Sequence, residues 1–349
     1  MTQISAKVIA DNKNEFDNRI TTMVVTFPRF ILAELNTHRV FSRNSASSRA
    51  IPFEKMVKSV QENPFIPIAW MKDHKGMQGT EYLFEHDESV AINNWLRARD
   101  LAVIQAQVLN GGGFVTKQLC NRLLEPFMWH TVIITSTEWE NFFALRCPQY
   151  DLFSENMPMS FRSKKDLLKY VKEVEADEFK NQYDSMTDLD WLKLNKGQAE
   201  IHMMALAEAM WDAMNESTPK ELKAYEWHIP FGDQMDNDKM NLLMLNHPLE
   251  EGEQITRDEL KVKIATARCA RVSYTVVGED KIPSIEKDIE LHDKFLQQKP
   301  FHASPFEHCA RAMDDIEAGL SGATNTNDGW SRNFKGFVQY RAIVEQTIK

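Results

Sequence analysis

ITTMVVTFPRFILAELNTHRVFSRNSASSRAIP, residues 20–52, contains in one stretch the strand, the helix and the polar loop around which the fold is built. Ile20 to Phe27 is rich in β-branched residues and predicts a strand that ends at Pro28. Residues 29–40 carry apolar side chains at helical spacing and predict a helix. Residues 42–50 are polar and rich in serine, which is typical of a loop.

Outside this stretch the apolar pattern is mostly helical. It predicts helices over 88–109, 116–124, 137–146, 198–214, 283–298 and 334–348, the third opened by a capping box of Thr137 and Glu140. Residues 227–253 and 314–329 are predicted to be loops, and 260–274 is mixed apolar and basic. Strands interleaved with long helices favour an α+β fold.

Composition limits the function. The 349 residues include 51 acidic and 41 basic side chains, a net charge of −10, which argues against a general binder of nucleic acid or anionic membranes. The length suggests two domains or one large domain with insertions. The four cysteines are scattered, so neither a disulfide scaffold nor a zinc site is expected. The chain starts without an apolar signal core and has no run long enough to span a membrane, so we expect a cytoplasmic protein.

Residues 36–52 oppose the overall charge. They contain three arginines, one histidine and four serines but no acid, a local charge of +3. Arginine forks, hydroxyls and loop amides match the oxygens of a phosphate, so a phosphorylated ligand is expected here. The alternative is that the arginines are solvated and the serines only form turns.

The same residues resemble a family motif. Thr37 to Arg49 is similar to R-H-R-x-x-S-x-N-E-x-S-x-R of the flavin-dependent thymidylate synthases. The match includes His38, Arg39 and Ser47, and it fails where Thr37 replaces the first Arg and Ser45 replaces the Glu.

Four other segments resemble elements of that family. They are Arg122–Pro126 (R-x-x-L-P, with Glu125 for the Leu), Asn141–Arg146 (N-F-x-x-L-R), Ala270–Ser273 (A-R-V-S) and His302–His308 (H-x-T/S-P-F-E-H). In common members the last two come first, so the sequence resembles a circularly permuted form, and residues 333–341 resemble long phage-encoded members. The resemblance implies a central antiparallel or mixed sheet packed with helices, in one permuted catalytic domain over 1–349. A helical insertion is expected at 151–195 and a loop-rich one at 225–258.

The family methylates dUMP to dTMP. Methylenetetrahydrofolate supplies the carbon, and FAD reduced by NADPH supplies the hydride. The resemblance therefore implies FAD as cofactor, NADPH and methylenetetrahydrofolate as co-substrates, and a homotetramer with sites between subunits, in the host cytoplasm if phage-encoded. It implies no metal and no nucleic-acid partner.

The resemblance also implies roles for individual residues. Arg146 would polarise the pyrimidine and act in catalysis. The substrate would be held by Ser45, Ser47, Arg49, Arg122 and Arg146. The flavin and folate region would be formed by His38, Arg39, Val40, Asn141, Ser273, His302, Ser304 and Glu307. Each residue also has a purely structural interpretation. The arginines could interact with helix C-termini, His38 could cap a helix, Asn141 could be an exposed polar residue, and Glu307 could form a surface pair with His308.

Two departures leave other functions open. Glu34 stands where a Gln is frequent, and a carboxylate beside a nucleotide could accept from an amino group, which suggests another pyrimidine nucleotide such as dCMP. Thr37 and Ser45 would also be compatible with a nucleotide-binding homologue that has lost catalysis.

Overall fold

The computed structural model of the protein describes residues 3–76, 79, 81–153, 158–173, 186–195, 197–246, 255–277, 283–320 and 329–348. The strands are β1 Ser5–Asn14, β2 Arg19–Pro28, β3 Ser42–Ser45, β4 Trp129–Ser136, β5 Tyr150–Phe153, β6 Pro158–Phe161, β7 Lys220–Leu222, β8 Trp227–His228, β9 Ala310–Ala312, β10 Trp330–Ser331, β11 Phe334–Lys335 and β12 Phe337–Gln339. The helices are α1 Leu32–Leu35, α2 Phe53–Glu62, α3 Glu85–Asn110, α4 Lys117–Cys120, α5 Glu140–Arg146, α6 Lys164–Glu173, α7 Asp188–Leu194, α8 Ile201–Glu216, α9 Asn237–Asn246, α10 Arg257–Arg271, α11 Ile285–Gln297 and α12 Tyr340–Thr347. Short 3-10 helices cover Arg29–Ile31, Gly111–Gly113, Asn121–Phe127, Gly232–Gln234, Val272–Tyr274 and Ser304–Glu307.

A five-stranded sheet of order β3-β4-β2-β1-β7 forms the centre. Its pairs are antiparallel except β1 with β7, so the sheet is mixed and the fold is α+β, as predicted. The predicted strand is confirmed as β2. Its Met23, Val25 and Phe27 share one buried cluster with Met203 and Met210 of α8, since alternate strand residues face the same side.

Most predicted helices are confirmed. The segments 88–109, 198–214 and 283–298 correspond to α3, α8 and α11, and the 116–124 segment to α4 and the 3-10 turn after it, with Thr116 as the N-cap. The capping box at Thr137 is wrong. The N-cap of α5 is Trp139, and the Thr137 hydroxyl accepts from the Lys335 amide instead, a contact from the far end of the chain.

The helix predicted over 29–40 is shorter than expected and the loop after it is partly a strand. Regular helix stops at Leu35, and the Thr37 hydroxyl donates to the Glu34 carbonyl at 2.7 Å, a local bond of the kind that competes with helix. Residues 42–45 then form β3 against β4. The buried Ser42 and Asn44 are hydrogen-bonded to distant segments, so no apolar alternation marks this strand.

The closing helix begins six residues later than predicted. Phe334–Lys335 and Phe337–Gln339 are strands, and the helix starts at Tyr340. Gly336 lies between the strands with φ of 74°, and a Cβ there would lie 2.6 Å from side-chain atoms of Asn14 and Asn18. Only glycine fits this approach.

The two predicted insertions contain more regular structure than expected. Residues 151–195 are helical where α6 and α7 lie, but the β5–β6 hairpin was missed, and 154–157 and 174–185 lie outside the described residues. The loop-rich region at 225–258 includes β8 and α9, with 247–254 outside the described part. The mixed segment 260–274 is mostly α10. Of the predicted loop at 314–329, residues 321–328 are not described.

Candidate functional site

Arg146, the last residue of α5, reaches the segment that follows α1. Its Nε donates to His38 Nε2 at 3.1 Å, and one Nη donates to the Thr37 hydroxyl at 3.3 Å. The other Nη lies 3.6 Å from a carboxylate oxygen of Glu34. A guanidinium has five N–H donors, so this arrangement fixes the cation and leaves donors for a ligand.

His38 is neutral in this environment. Burial, together with the charges of Arg146 and Arg43, lowers its pKa to about 4. Since Nε2 accepts from Arg146, the ring carries its proton on Nδ1. Its ring contacts Phe142 edge-on with centroids 4.9 Å apart. His38 is therefore a fixed acceptor for Arg146, and its Nε2 does not cap the preceding helix.

A cavity of about 430 Å³ lies against this pair, a volume typical of small-molecule sites. Five predicted residues line it, namely His38, Arg39, Val40, Asn141 and Arg146. The others do not line it within a single chain: Ser45, Ser47, Arg49, Arg122, Ser273, His302, Ser304 and Glu307.

A second group of charges lies where the 36–52 segment meets the 3-10 turn Asn121–Phe127. The Ser48 hydroxyl donates to Glu125 at 2.5 Å, and Arg29 lies 3.5 Å from the same carboxylate. The nearby charge of Arg122 contributes to a lowered pKa of Arg29, after burial. Arg49 and Arg122 are exposed, so both cations are free to meet an anion.

The segments Ala270–Ser273 and His302–His308 also meet the 36–52 segment. The Ser47 amide donates to the Ser273 carbonyl at 3.1 Å. Ser304–Glu307 packs against β3, and the charge of Glu307 acts on Arg43.

Some predicted residues have structural partners instead of facing the cavity. Glu307 accepts from Arg341 at 2.5 Å, so it does not form the surface pair with His308 that was an alternative. His302 is exposed and stacks on Phe295 at 5.1 Å. Arg43 donates to the Leu35 carbonyl, which leaves two cations of the +3 segment, Arg39 and Arg49, at the surface.

Several residues at these sites were not found from the sequence. Trp330 lines the 430 Å³ cavity, and Arg29 and Ser48 bind Glu125. The position of Arg29 directly after the strand-ending Pro28 was a usable signal, since strand ends carry functional side chains. For Trp330, which comes from the far end of the chain, no sequence signal was available.

Comparisons with known proteins give distant structural likenesses. No family model and no curated protein matches the chain. The UMP/dUMP methylase PolB from Streptomyces cacaoi, bound with 5-Br UMP, is 14% identical with a TM-score of 0.39 over 61% of this chain and 89% of that chain. The structure of PolB with 5-Br dUMP is also 14% identical, with a TM-score of 0.35 over 51% of this chain and 91% of that chain. Thymidylate Synthase X (ThyX) from Helicobacter pylori, with FAD and dUMP, is 14% identical, with a TM-score of 0.23 over 37% of this chain and 58% of that chain. At these TM-scores the likeness establishes neither the fold family nor the activity of this chain.

Among the described residues, none of the helices combines the length and the apolar composition that crossing a bilayer requires.

Proposed function

We propose that this protein is a flavin-dependent methylase of a pyrimidine nucleotide, with conversion of dUMP to dTMP as the first candidate reaction. One observation carries the proposal. The four segments that resemble the family, at 122–126, 141–146, 270–273 and 302–308, all converge on the 36–49 motif although they are far apart in sequence. Their order along the chain supports a circularly permuted single domain with insertions.

The residues at the 430 Å³ cavity suit a flavin and a pyrimidine. The wall offers the apolar Val40 and Phe142, the amide of Asn141 and the free donors of Arg146, a set that matches flat rings edged by carbonyl groups. His38, Arg39, Val40 and Asn141 would hold FAD, which when bound supplies the hydride. Methylenetetrahydrofolate would supply the carbon and NADPH the reducing equivalents.

Arg146 would act on the pyrimidine through a fixed positive charge. A guanidinium beside a ring carbonyl stabilises the negative charge that develops when C5 becomes nucleophilic. The bond to neutral His38 holds the guanidinium without adding a negative charge, and the carboxylate of Glu34 lies farther away, at 3.6 Å. Because the guanidinium is already oriented, the reaction does not require the free energy of orienting it in the transition state.

Arg49 and Arg122 would bind the nucleotide phosphate, with the hydroxyls of Ser45 and Ser47 adding donors. Both arginines are exposed and neither lines the cavity within one chain. A homotetramer in which one subunit completes the site of another would bring them to the nucleotide, and we include this assembly in the proposal. Ser273, His302, Ser304 and Glu307 would border the flavin and folate region.

Glu34 supports a second candidate substrate. Its carboxylate lies 3.6 Å from Arg146, and burial, with the charge of Glu200, raises its pKa. A carboxyl group beside the pyrimidine-binding cation could pair with an exocyclic amino group, as in dCMP. Turnover of dUMP and dCMP by the same preparation distinguishes the two, and a clear preference for dUMP eliminates the second candidate.

The central test is flavin binding. Protein mixed with FAD and desalted is expected to keep the yellow flavin absorbance, and Asn141→Ala is expected to reduce the amount retained. Asn94→Ala serves as the control, because Asn94 is exposed on α3, donates to the Val90 carbonyl of its own helix and does not line the cavity. A colourless protein with no affinity for FAD would eliminate both candidate reactions.

A further inference from the structure

A second cavity has a volume of about 730 Å³. Phe30, just before α1, lines this second cavity, while Glu34, within α1, contacts Arg146 of the first. The segment 30–34 thus contributes to both regions, and the charge of Glu200 in the second cavity acts on Glu34.

The wall of the second cavity includes four large aromatic side chains, Phe30, Trp70, Tyr82 and Trp95. The two indoles meet at 76° with centroids 5.8 Å apart, and both are only half-buried. Phe30 is 41% exposed. Such a corner offers one ring face for stacking and a second at a right angle to it, which suits a flat ligand.

The polar part of the wall is a carboxylate. Glu200 caps α8 by accepting from the amides of His202 and Met203, and its other oxygen accepts from His202 Nδ1 at 2.5 Å. His202 Nε2 accepts from the Ile68 amide at 3.0 Å, so the imidazole carries one proton only and does not neutralise Glu200. A carboxylate has about four acceptor positions, of which these bonds occupy three, and the side chain is 35% exposed.

The indole N–H groups do not face the cavity. Trp95 Nε1 donates to the Phe65 carbonyl at 2.8 Å, and Trp70 Nε1 is buried. The two indoles therefore offer a ligand their ring surfaces, and Glu200 offers it an acceptor.

We propose that this cavity binds a neutral bicyclic heteroaromatic ring that bears an amino group or ring N–H. The ring would stack in the corner of Trp70 and Trp95 and donate to Glu200. The carboxylate selects against anionic rings and for rings with a donor. Pterins and purines share this chemistry. The proposal does not depend on a nucleotide binding at Arg146; if the ring is a pterin, the cavity places a folate headgroup beside the segment that carries Glu34 and His38.

The test is titration of the full-length protein with three flat probes of similar size. Pterin and adenine carry amino donors, and quinoxaline has the bicyclic shape without any donor. Binding is followed by quenching of tryptophan fluorescence and checked by calorimetry, and it is expected for pterin or adenine. Quinoxaline is expected to bind at least about tenfold more weakly, a difference of about 1.4 kcal/mol. Whichever donor probe binds more tightly identifies the ring class. Absence of binding by both donor probes, or equal binding of quinoxaline, overturns the proposal.

Variants locate the binding. Glu200→Gln keeps an oxygen that can cap α8 but removes the charge. It is expected to weaken the binding of the donor probe about tenfold and to leave the binding of quinoxaline unchanged. Trp95→Leu is expected to weaken the binding of all three probes. Glu138→Gln makes the same change at the first cavity and should leave pterin and adenine unaffected. Unchanged donor binding in a folded Glu200→Gln protein overturns the proposal. Because FAD retention is measured separately, failure here is distinguishable from failure of the proposed function.

Discussion

His38 and the pair His228 and His308 are all buried, but their surroundings differ. The pKa of His38 is lowered to about 4 by burial and two arginines, and its ring lies beside an open cavity. The pKa values of His228 and His308 are lowered to about 3, in both cases mainly by burial. Burial alone therefore gives a neutral histidine in either place. The candidate site is distinguished by the open cavity and by a cation with unused donors.

The pair His228 and His308, the core pair, belongs to a chain of hydrogen bonds in which every donor and acceptor can be assigned. We call it the core chain. Asn12 donates from its amide to the Lys220 carbonyl, so its oxygen accepts from His228 Nδ1 at 2.7 Å. His228 Nε2 must then accept from Thr22 at 2.7 Å, Thr22 from Thr135 at 2.8 Å, and Thr135 from His308 Nδ1 at 2.9 Å. The chain joins β1, β8, β2, β4 and the end of the 302–308 segment. It holds that segment against the sheet, so its role is structural.

The largest effect is expected from Arg146→Ala. Loss of a preorganised charge from a site of this kind costs about 3 kcal/mol of barrier, so methylation of the preferred nucleotide should fall at least about a hundredfold. The melting temperature should change little, because Arg146 lies at a cavity and its loss leaves His38 neutral. Turnover and thermal melts of the same preparation check both. Activity near that of the unmodified protein would show that the catalytic assignment is wrong.

A substitution in the core chain should lower stability and leave the candidate site intact, the reverse of Arg146→Ala. Thr22→Val removes the hydroxyl that His228 Nε2 and Thr135 both contact, leaving buried polar atoms unsatisfied at a cost of about 1–3 kcal/mol. We expect a lower free energy of unfolding in urea with flavin binding retained at low temperature. Thr26→Val, on the same strand at a less buried position, is the matched control. If both variants are equally stable, the chain does not contribute to the fold.

The core pair also predicts acid sensitivity. Unfolded histidines have pKa values near 6.5, whereas His228 and His308 have values of about 3 in the fold. Above pH 6.5 both states are neutral; below it the unfolded state binds more protons, so the free energy of unfolding falls as the pH drops from about 6.5 toward 3. Asp11, the carboxylate acting on His228, opposes this effect and is outweighed by burial.

Urea titrations at pH 7 and pH 5 measure that fall. It should be smaller in His308→Gln, which removes one of the buried rings whose pKa is lowered in the fold, and unchanged in His74→Gln, where an exposed ring is removed. An equal loss of stability in His308→Gln and in the unmodified protein would show that His308 does not contribute to the pH dependence.

The same two regions show what the sequence could reveal. β2 and α8 were predictable because their apolar side chains repeat with the period of a strand and of a helix. The residues of the cavity were predictable only through the motif, since His38 and Arg146 are 108 residues apart. β3 was not predictable, because its buried Ser42 and Asn44 are satisfied by groups from residues 333, 339 and 269. The core chain was likewise hidden, since its five side chains come from five separate segments.

The smallest effect is expected from Thr37→Val, and it examines how Arg146 is held. Arg146 donates to the hydroxyl of the exposed Thr37 at 3.3 Å and to the ring of the buried His38 at 3.1 Å. An exposed bond of this length contributes about 0.5 kcal/mol, so turnover should fall by only about two- to threefold. Thr37→Ser keeps the hydroxyl and should retain full activity. If Thr37→Val instead approaches the loss of Arg146→Ala, the hydroxyl and not the buried imidazole orients the guanidinium, and the contrast between His38 and the core histidines would then lie in packing alone.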